Sequence, residues 1–197
     1  MSQPLYTVIG ATDGPGLPVF LQLVKQGHAV IGIGRSSKKI DAITHYLTEQ
    51  GATNYQLLQA DFEAAADLPA AVLPTTHLIS ASRPTYLDAF LDQCQQLDRV
   101  VSIGSARIYT HFPDERCRQM QHMQTRVLAC EPPGTVIHPT LIYGGTGFNN
   151  IERIESIAGL TPFIPLPQKG KALIQPVHVI DVAKATLSSV LSAETAG

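Results

Sequence analysis

The chain has 197 residues, 44% of them hydrophobic and 15% charged, with a formal net charge of -2. That is the size of one globular domain with a substantial core, and it excludes a disordered chain. A protein gripping nucleic acid mainly through phosphates needs a basic excess that is absent here, and no polybasic block marks the chain for a membrane surface.

Short apolar runs alternate with helical stretches along most of the sequence. The first run, Leu5-Tyr6-Thr7-Val8-Ile9, is too short for a signal peptide or a membrane span, and Gly10 follows it at once. Strands are predicted at 6–9, 29–33, 55–58, 77–81, 99–103 and 135–138, each bounded by turn residues and rich in Val, Ile, Leu or Tyr. Helices are predicted between them at 17–26, 38–50, 86–97 and 115–130. In the first, Leu17, Phe20, Leu21 and Val24 share one face. In the last, Met120, Met123 and Val127 suggest a face turned to a core or a partner. The alanine-rich stretch 64–74 predicts a short helix interrupted by Pro69.

From Ile142 the pattern changes. Tyr143-Gly144-Gly145-Thr146-Gly147 predicts a flexible loop, 150–158 a helix, and 161–167 a proline-studded passage. A closing amphipathic helix is expected at 181–191. Repeated strand–helix units imply an α/β fold, a doubly wound parallel sheet with helices on both faces. No repeat or low-complexity linker divides the chain, so 1–197 reads as one domain, with 142–175 forming a small substrate-side lobe.

Cys94, Cys117 and Cys130 form neither a CxxC pair nor a zinc spacing, which predicts reduced thiols in a cytoplasmic protein. No metal site is expected, because His111 and His122 have no HxxxH or HExxH partner.

The first strand runs directly into Gly10-Ala11-Thr12-Asp13-Gly14-Pro15-Gly16 and then into a helix. Glycines at the first, fifth and seventh positions allow a tight bend and leave room for a diphosphate against the backbone. The helix amino terminus beyond it offers free N–H groups and a favourable dipole. The second strand ends at Gly34-Arg35-Ser36, and the third at Asp61-Phe62. A bend between first strand and first helix, followed by these two strand ends, points to a dinucleotide-binding Rossmann domain. An acidic residue after the second strand would accept hydrogen bonds from an adenine ribose. Arg35 instead offers a forked cation suited to a 2′-phosphate, with Ser36 as a further donor, so NADP is expected with NAD as the alternative.

These residues resemble the short-chain dehydrogenase/reductase superfamily, and within it the extended and atypical branch of NAD(P)-dependent epimerases and dehydratases. The family turn GxxGxxG is matched at its ends by Gly10 and Gly16. Asp13 replaces the middle glycine, and Gly14 supplies a GxxxGxG pattern instead. An Asp beside a diphosphate adds repulsion unless its side chain turns away or caps the helix. The resemblance implies cofactor contacts at Thr12, Asp13, Gly14 and Pro15 of the turn. It also implies Asp61 and Phe62 flanking the adenine, and Ser80, Ala81 and Ser82 lining the cofactor channel.

Val101-Ser102-Ile103-Gly104-Ser105-Ala106-Arg107-Ile108-Tyr109 resembles the fifth-strand motif, with Ser105 aligned to the serine that holds the substrate oxygen. Ile137-His138-Pro139-Thr140-Leu141-Ile142-Tyr143-Gly144 is similar to the R-P-x-x-x-Y-G segment beside the nicotinamide, with His138 in place of the arginine. The resemblance puts His138, Pro139 and Thr140 among the cofactor contacts. Gln175-Pro176-Val177-His178-Val179-Ile180-Asp181-Val182-Ala183 matches the signature that packs the last helix onto the domain. There His178 and Asp181 read as structural, and Asp181 as a helix cap.

The family's Y-x-x-x-K pair is missing. Within 114–127 there is neither tyrosine nor lysine, and the best register puts Cys117 at the tyrosine position and Gln121 at the lysine position. Losing a positioned acid/base costs about 10²–10⁴ in rate. Ser105, Tyr109 and Cys117 are the remaining catalytic candidates, although Tyr109 also reads as family packing. Two functions follow as expectations. One is an NADP-dependent oxidoreductase or sugar-nucleotide epimerase/dehydratase relative with an altered site and a small-molecule substrate. The other is a catalytically silent NADP(H)-binding redox sensor or partner-binding module. The chain is short for the epimerase branch, so the pocket is small, open or completed by a second subunit, as in a homodimer.

Overall fold

Apolar side chains alternate along the central strands, and the two faces they create are both covered. In a computed structural model, which describes residues 3–61, 67–145, 156, 159, 171 and 174–192, six strands lie side by side. They are β1 (Leu5–Ile9), β2 (Ala29–Gly34), β3 (Tyr55–Gln59), β4 (His77–Ser80), β5 (Arg99–Ile103) and β6 (Thr135–Ile137). Their order is β3-β2-β1-β4-β5-β6 and all five pairings are parallel. Helices α1 (Gly16–Lys25), α2 (Ser37–Glu49), α3 (Leu87–Gln93), α4 (Glu115–Leu128) and α5 (Val179–Leu191) flank the sheet. This is the doubly wound α/β architecture that the strand–helix alternation predicts.

The two-residue period of the strands builds two cores. Ile9, Ile33, Leu78 and Val100 pack with Leu87 and Phe90 of α3 and with Met123 and Val127 of α4. Val8, Val30, Ile79 and Val101, each an odd number of residues away, pack with Phe20 and Leu23 of α1, Leu47 of α2 and Val190 of α5. Phe20 and Phe90 are completely buried, one on each side of the sheet. The last helix is fixed by a long-range contact. Arg99, the first residue of β5 and 6% exposed, donates through Nε to the Ser189 carbonyl at 3.0 Å and through Nη2 to the Ser192 carbonyl. A buried guanidinium thus serves the carbonyls at the carboxyl end of α5.

Several local expectations are corrected. Tyr143 does not begin a loop. It ends β7 (Leu141–Tyr143), which pairs in parallel with β8 (Pro176–His178), Leu141 opposite Pro176 and Tyr143 opposite His178. A three-residue run carries too little periodicity to be read without its distant partner. Helix α5 starts at Val179, and its cap is His178, whose Nδ1 accepts from the Ile180 N–H at 3.2 Å. Asp181 is not the cap; it lies in the first turn and faces Lys184 at 3.4 Å. The stretch after Pro69 holds only a 3-10 turn, Ala70–Val72. Helix α3 stops four residues before the predicted end because Cys94 is extended, and its thiol donates to the Val72 carbonyl at 3.5 Å. Apart from Ser156, the helix predicted at 150–158 and the passage 161–167 lie outside the described residues. Among the described residues no helix is long and apolar enough to cross a membrane.

Candidate functional site

The chain leaves β1 at Ile9 and bends through Gly10–Pro15 into α1. Main-chain bonds pin this bend between two strand ends. Gly10 and Ala11 donate to the Ile33 carbonyl at 2.9 and 3.0 Å, and Ala81 donates to the Ile9 carbonyl at 2.9 Å. Two glycines are required by this closeness. Gly10 has φ +84°, and a Cβ there would meet the Ala81 carbonyl oxygen at 2.8 Å. A Cβ on Gly16 would lie 2.2 Å from the Gly10 carbonyl oxygen. Side chains cap α2 (Ser36), α4 (Asp114) and α5 (His178), whereas α1 and α3 have no side-chain cap hydrogen bond. The amino end of α1 carries the positive partial charge of a helix terminus.

A cleft of about 280 Å³ opens over this bend. Gly10, Thr12, Asp13, Gly14 and Pro15 form one wall, and Ala81 and Ser82 form another beyond β4. Arg35, Ser36 and Lys39 form the wall beyond β2. Ser36 also caps α2, its Oγ accepting from the Lys39 N–H at 3.4 Å. Besides the strand-end residues Ile9, Ile33 and Gly34, three lining residues were not among the expected contacts: Lys39, Ala60 and Tyr86. Lys39 was legible in the run Arg35-Ser36-Ser37-Lys38-Lys39, since it falls in the first turn of the helix that Ser36 caps. Tyr86 comes from the segment after β4 and had no local signal. It is 3% exposed and donates through its hydroxyl to Asp61 Oδ1 at 2.8 Å. Burial, and then the Asp61 carboxylate, push its phenol above the usual 10.0, so it remains a donor.

Other expected contacts stand elsewhere. Asp61 is exposed just beyond β3 and accepts from the hydroxyl of Tyr86, which lines the cleft. Ser80 is 1% exposed inside β4 and does not line the cleft, because the strand's alternation turns it inward. Phe62 lies outside the described residues. Asp13 neither turns away nor caps α1. Its Oδ1 accepts from the Gly14 N–H at 2.9 Å, and its Oδ2 is ion-paired with Lys39.

A second group gathers along the same sheet edge, beyond the carboxyl ends of β5 and β6. Ser105 follows β5 and accepts through Oγ from the Arg107 N–H at 3.2 Å, opening the 3-10 turn Ala106–Tyr109. Tyr109 is 73% exposed, and its ring stands edge-on to His138 at 5.8 Å. His138 follows β6, with Nε2 at 2.7 Å from Gln124 Oε1 of α4. Pro139 and Thr140 continue from it, and the Thr140 hydroxyl donates to the Gln175 carbonyl. None of these three lines the cleft over the Gly10–Pro15 bend. A larger hollow of about 940 Å³ shares Ser82 with that cleft and is walled by Arg83, Thr85, Arg116, Gln119 and Met120.

Burial holds the His138 imidazole below its usual 6.5. The unfolded chain therefore binds more protons between the two values, and stability falls as pH drops below about 6.5. His138→Gln is expected to flatten that acid-side decline, read as Tm against pH; an unchanged profile would show that His138 does not titrate in this way.

Comparison with known proteins gives the following. No protein-family model matches the chain. The very-long-chain 3-oxoacyl-CoA reductase of Anas platyrhynchos is 32% identical over 108 residues, 49% of this chain and 35% of that protein. The chain thus spans about a third of that relative's length. Among solved structures, yeast methylglyoxal/isovaleraldehyde reductase Gre2 complexed with NADPH superposes with a TM-score of 0.75 at 18% identity, covering 98% of this chain and 73% of that one. A short-chain type dehydrogenase/reductase from Mycobacterium ulcerans superposes at 0.73 and 16% identity, covering 98% of this chain and 86% of that one.

The chain shares the Rossmann-type α/β fold of these solved structures.

On that fold the helix after the fifth strand is α4, and its contents correct the expectation for Cys117. The residue is 0% exposed, and its thiol donates to the Ile108 carbonyl at 3.7 Å. Asp114 caps the helix through the Cys117 N–H at 3.0 Å, and this turns the thiol into the core beside β5. Cys117 therefore cannot reach a substrate. Gln121 is exposed, and Gln124 is the α4 side chain that touches His138. The polar groups that the fold brings together here are Ser105, Tyr109, His138 and Gln124, supplied by two strand ends and one helix.

Proposed function

We propose that the chain binds NADP(H), with the diphosphate on the Gly10–Gly16 bend and the 2′-phosphate against Arg35, Ser36 and Lys39. The observation that carries this reading is the grouping of those three donors on the wall opposite an uncapped helix terminus, in one cleft. The fit is physical: Gly10 and Gly16 let the bend pack tightly enough to set the positively polarised amino end of α1 beside the cleft. It agrees with the NADPH carried by the yeast reductase of the same fold. Tyr86 would border the adenosine end, and Ala81 and Ser82 the route toward the nicotinamide.

The proposed activity is that of an NADP-dependent oxidoreductase, or an epimerase/dehydratase relative, with a reworked catalytic side. The cofactor supplies or accepts a hydride when bound. Ser105 would orient a carbonyl or hydroxyl oxygen of a small-molecule substrate, and the exposed Tyr109 phenol would hold or release the proton. His138, positioned by Gln124, would support the Tyr109 ring. We further propose that the chain is cytoplasmic and one domain, with 142–175 on the substrate side, and that a second copy completes the pocket. The buried Cys117 favours a second reading, a silent NADP(H)-binding sensor, because it removes the thiol from the list of acid/base groups.

NADPH fluorescence, excited to the red of the protein's own absorption, reports binding. Saturable NADPH binding with turnover of at least one carbonyl in a panel is expected, and Tyr109→Phe should lower the rate about 10²-fold or more. Binding without any turnover would leave the silent reading. Failure to bind either dinucleotide would overturn both.

A further inference from the structure

The bend carries a negative charge of its own. Asp13 stands where the resembling family has a glycine, and its carboxylate takes two kinds of group that a phosphate needs. Oδ1 accepts from the Gly14 N–H at 2.9 Å, a main-chain donor of the bend. Oδ2 is ion-paired with Lys39, which shares the far wall with Arg35 and Ser36. Both side chains are well solvated, at 44% and 39% exposure, so the pair can part.

Building on the NADP(H) reading above, we propose that Asp13 is an internal competitor for the phosphate-binding groups and so sets how strongly the cleft prefers NADP over NAD. Lys39 carries one charge and faces two anions. While it stays on Asp13, the bend is close to neutral and admits a diphosphate, and the 2′-phosphate is left to Arg35 and Ser36. When it moves to the 2′-phosphate, Asp13 loses that cation beside the diphosphate. Either arrangement wastes part of the attraction that only NADP has for Lys39. Asp13 therefore lowers affinity for both dinucleotides, and lowers it more for NADP.

The test is calorimetric titration of NADPH, NADH and inorganic pyrophosphate into the native chain, Asp13→Asn, Lys39→Met and the double variant. Asparagine keeps the acceptor for the Gly14 N–H and removes only the charge. Asp13→Asn is expected to tighten NADH about threefold and NADPH roughly tenfold, as removal of one solvated like charge and release of one cation imply. Lys39→Met in the native background should weaken NADPH only slightly more than NADH, because Asp13 already holds much of that charge. In the Asp13→Asn background the same change should weaken NADPH selectively. Unchanged or weaker binding in Asp13→Asn would overturn the competition, and so would a selective loss of NADPH in Lys39→Met alone as large as the loss in the Asp13→Asn background. Tighter pyrophosphate binding by Asp13→Asn, with no dinucleotide bound by any variant, would uphold the competition and sink the NADP(H) reading. Dinucleotide binding that is indifferent to Asp13→Asn would sink the competition and leave that reading standing.

Discussion

A Gly16→Ala variant is expected to lose dinucleotide binding and to melt well below the native chain. The added Cβ would sit 2.2 Å from the Gly10 carbonyl oxygen and 3.0 Å from the Ala81 Cβ. The first of these is backbone, so the bend itself must open. Overpacking of this kind costs about 2–3 kcal/mol, which in a chain of this size lowers Tm by roughly 5–10 °C. Opening the bend also spreads the N–H groups that a diphosphate must reach together, and binding falls with it. Gly27→Ala is the control. Gly27 has φ +84° but nothing within 4 Å of an added Cβ. It should lose about 1–2 kcal/mol from backbone strain alone and bind NADPH as the native chain does. If Gly16→Ala binds NADPH normally while melting lower, the bend is only structural.

Arg35→Ala is expected to weaken NADPH by roughly tenfold to a hundredfold, the worth of one charge-assisted contact to phosphate. NADH should change by less than about twofold, since it has no 2′-phosphate for the guanidinium to meet. Arg35 is exposed on the cleft wall, so the variant should fold and melt like the native chain, within about 0.5 kcal/mol. The informative quantity is the ratio of the two dissociation constants at one salt concentration, because screening weakens both. Equal losses for the two dinucleotides would place the 2′-phosphate elsewhere.

The cleft was largely legible in the sequence because its parts are local. Gly10, Thr12, Asp13, Gly14 and Pro15 are consecutive or nearly so, and Arg35 and Ser36 close the next strand. Tyr86 and Ala60 were not legible, since the fold brings them to the cleft from separate segments. Ser80 was placed there on resemblance, yet strand alternation turns it inward. The catalytic side was read less well for the same reason. Cys117 matched a motif position, but motif position does not say which way a helix is rotated. That rotation is set by burial of Met123 and Val127, which share the inward face with Cys117 at 0–2% exposure. Gln124 became visible only once His138, on another element, was found beside it.

By itself the sequence determined the alternation of strand and helix, the parallel sheet that follows from it, and the glycine bend after the first strand. Each depends on residues close together in the chain, where period, turn chemistry and φ preference act directly. Only the tertiary structure decided which side chains meet across the sheet edge. It turned Cys117 inward, set His138 against Gln124, tied Arg99 to the end of α5 and joined Asp13 to Lys39. Those contacts depend on how helices rotate to bury their apolar faces, and no local pattern records that rotation.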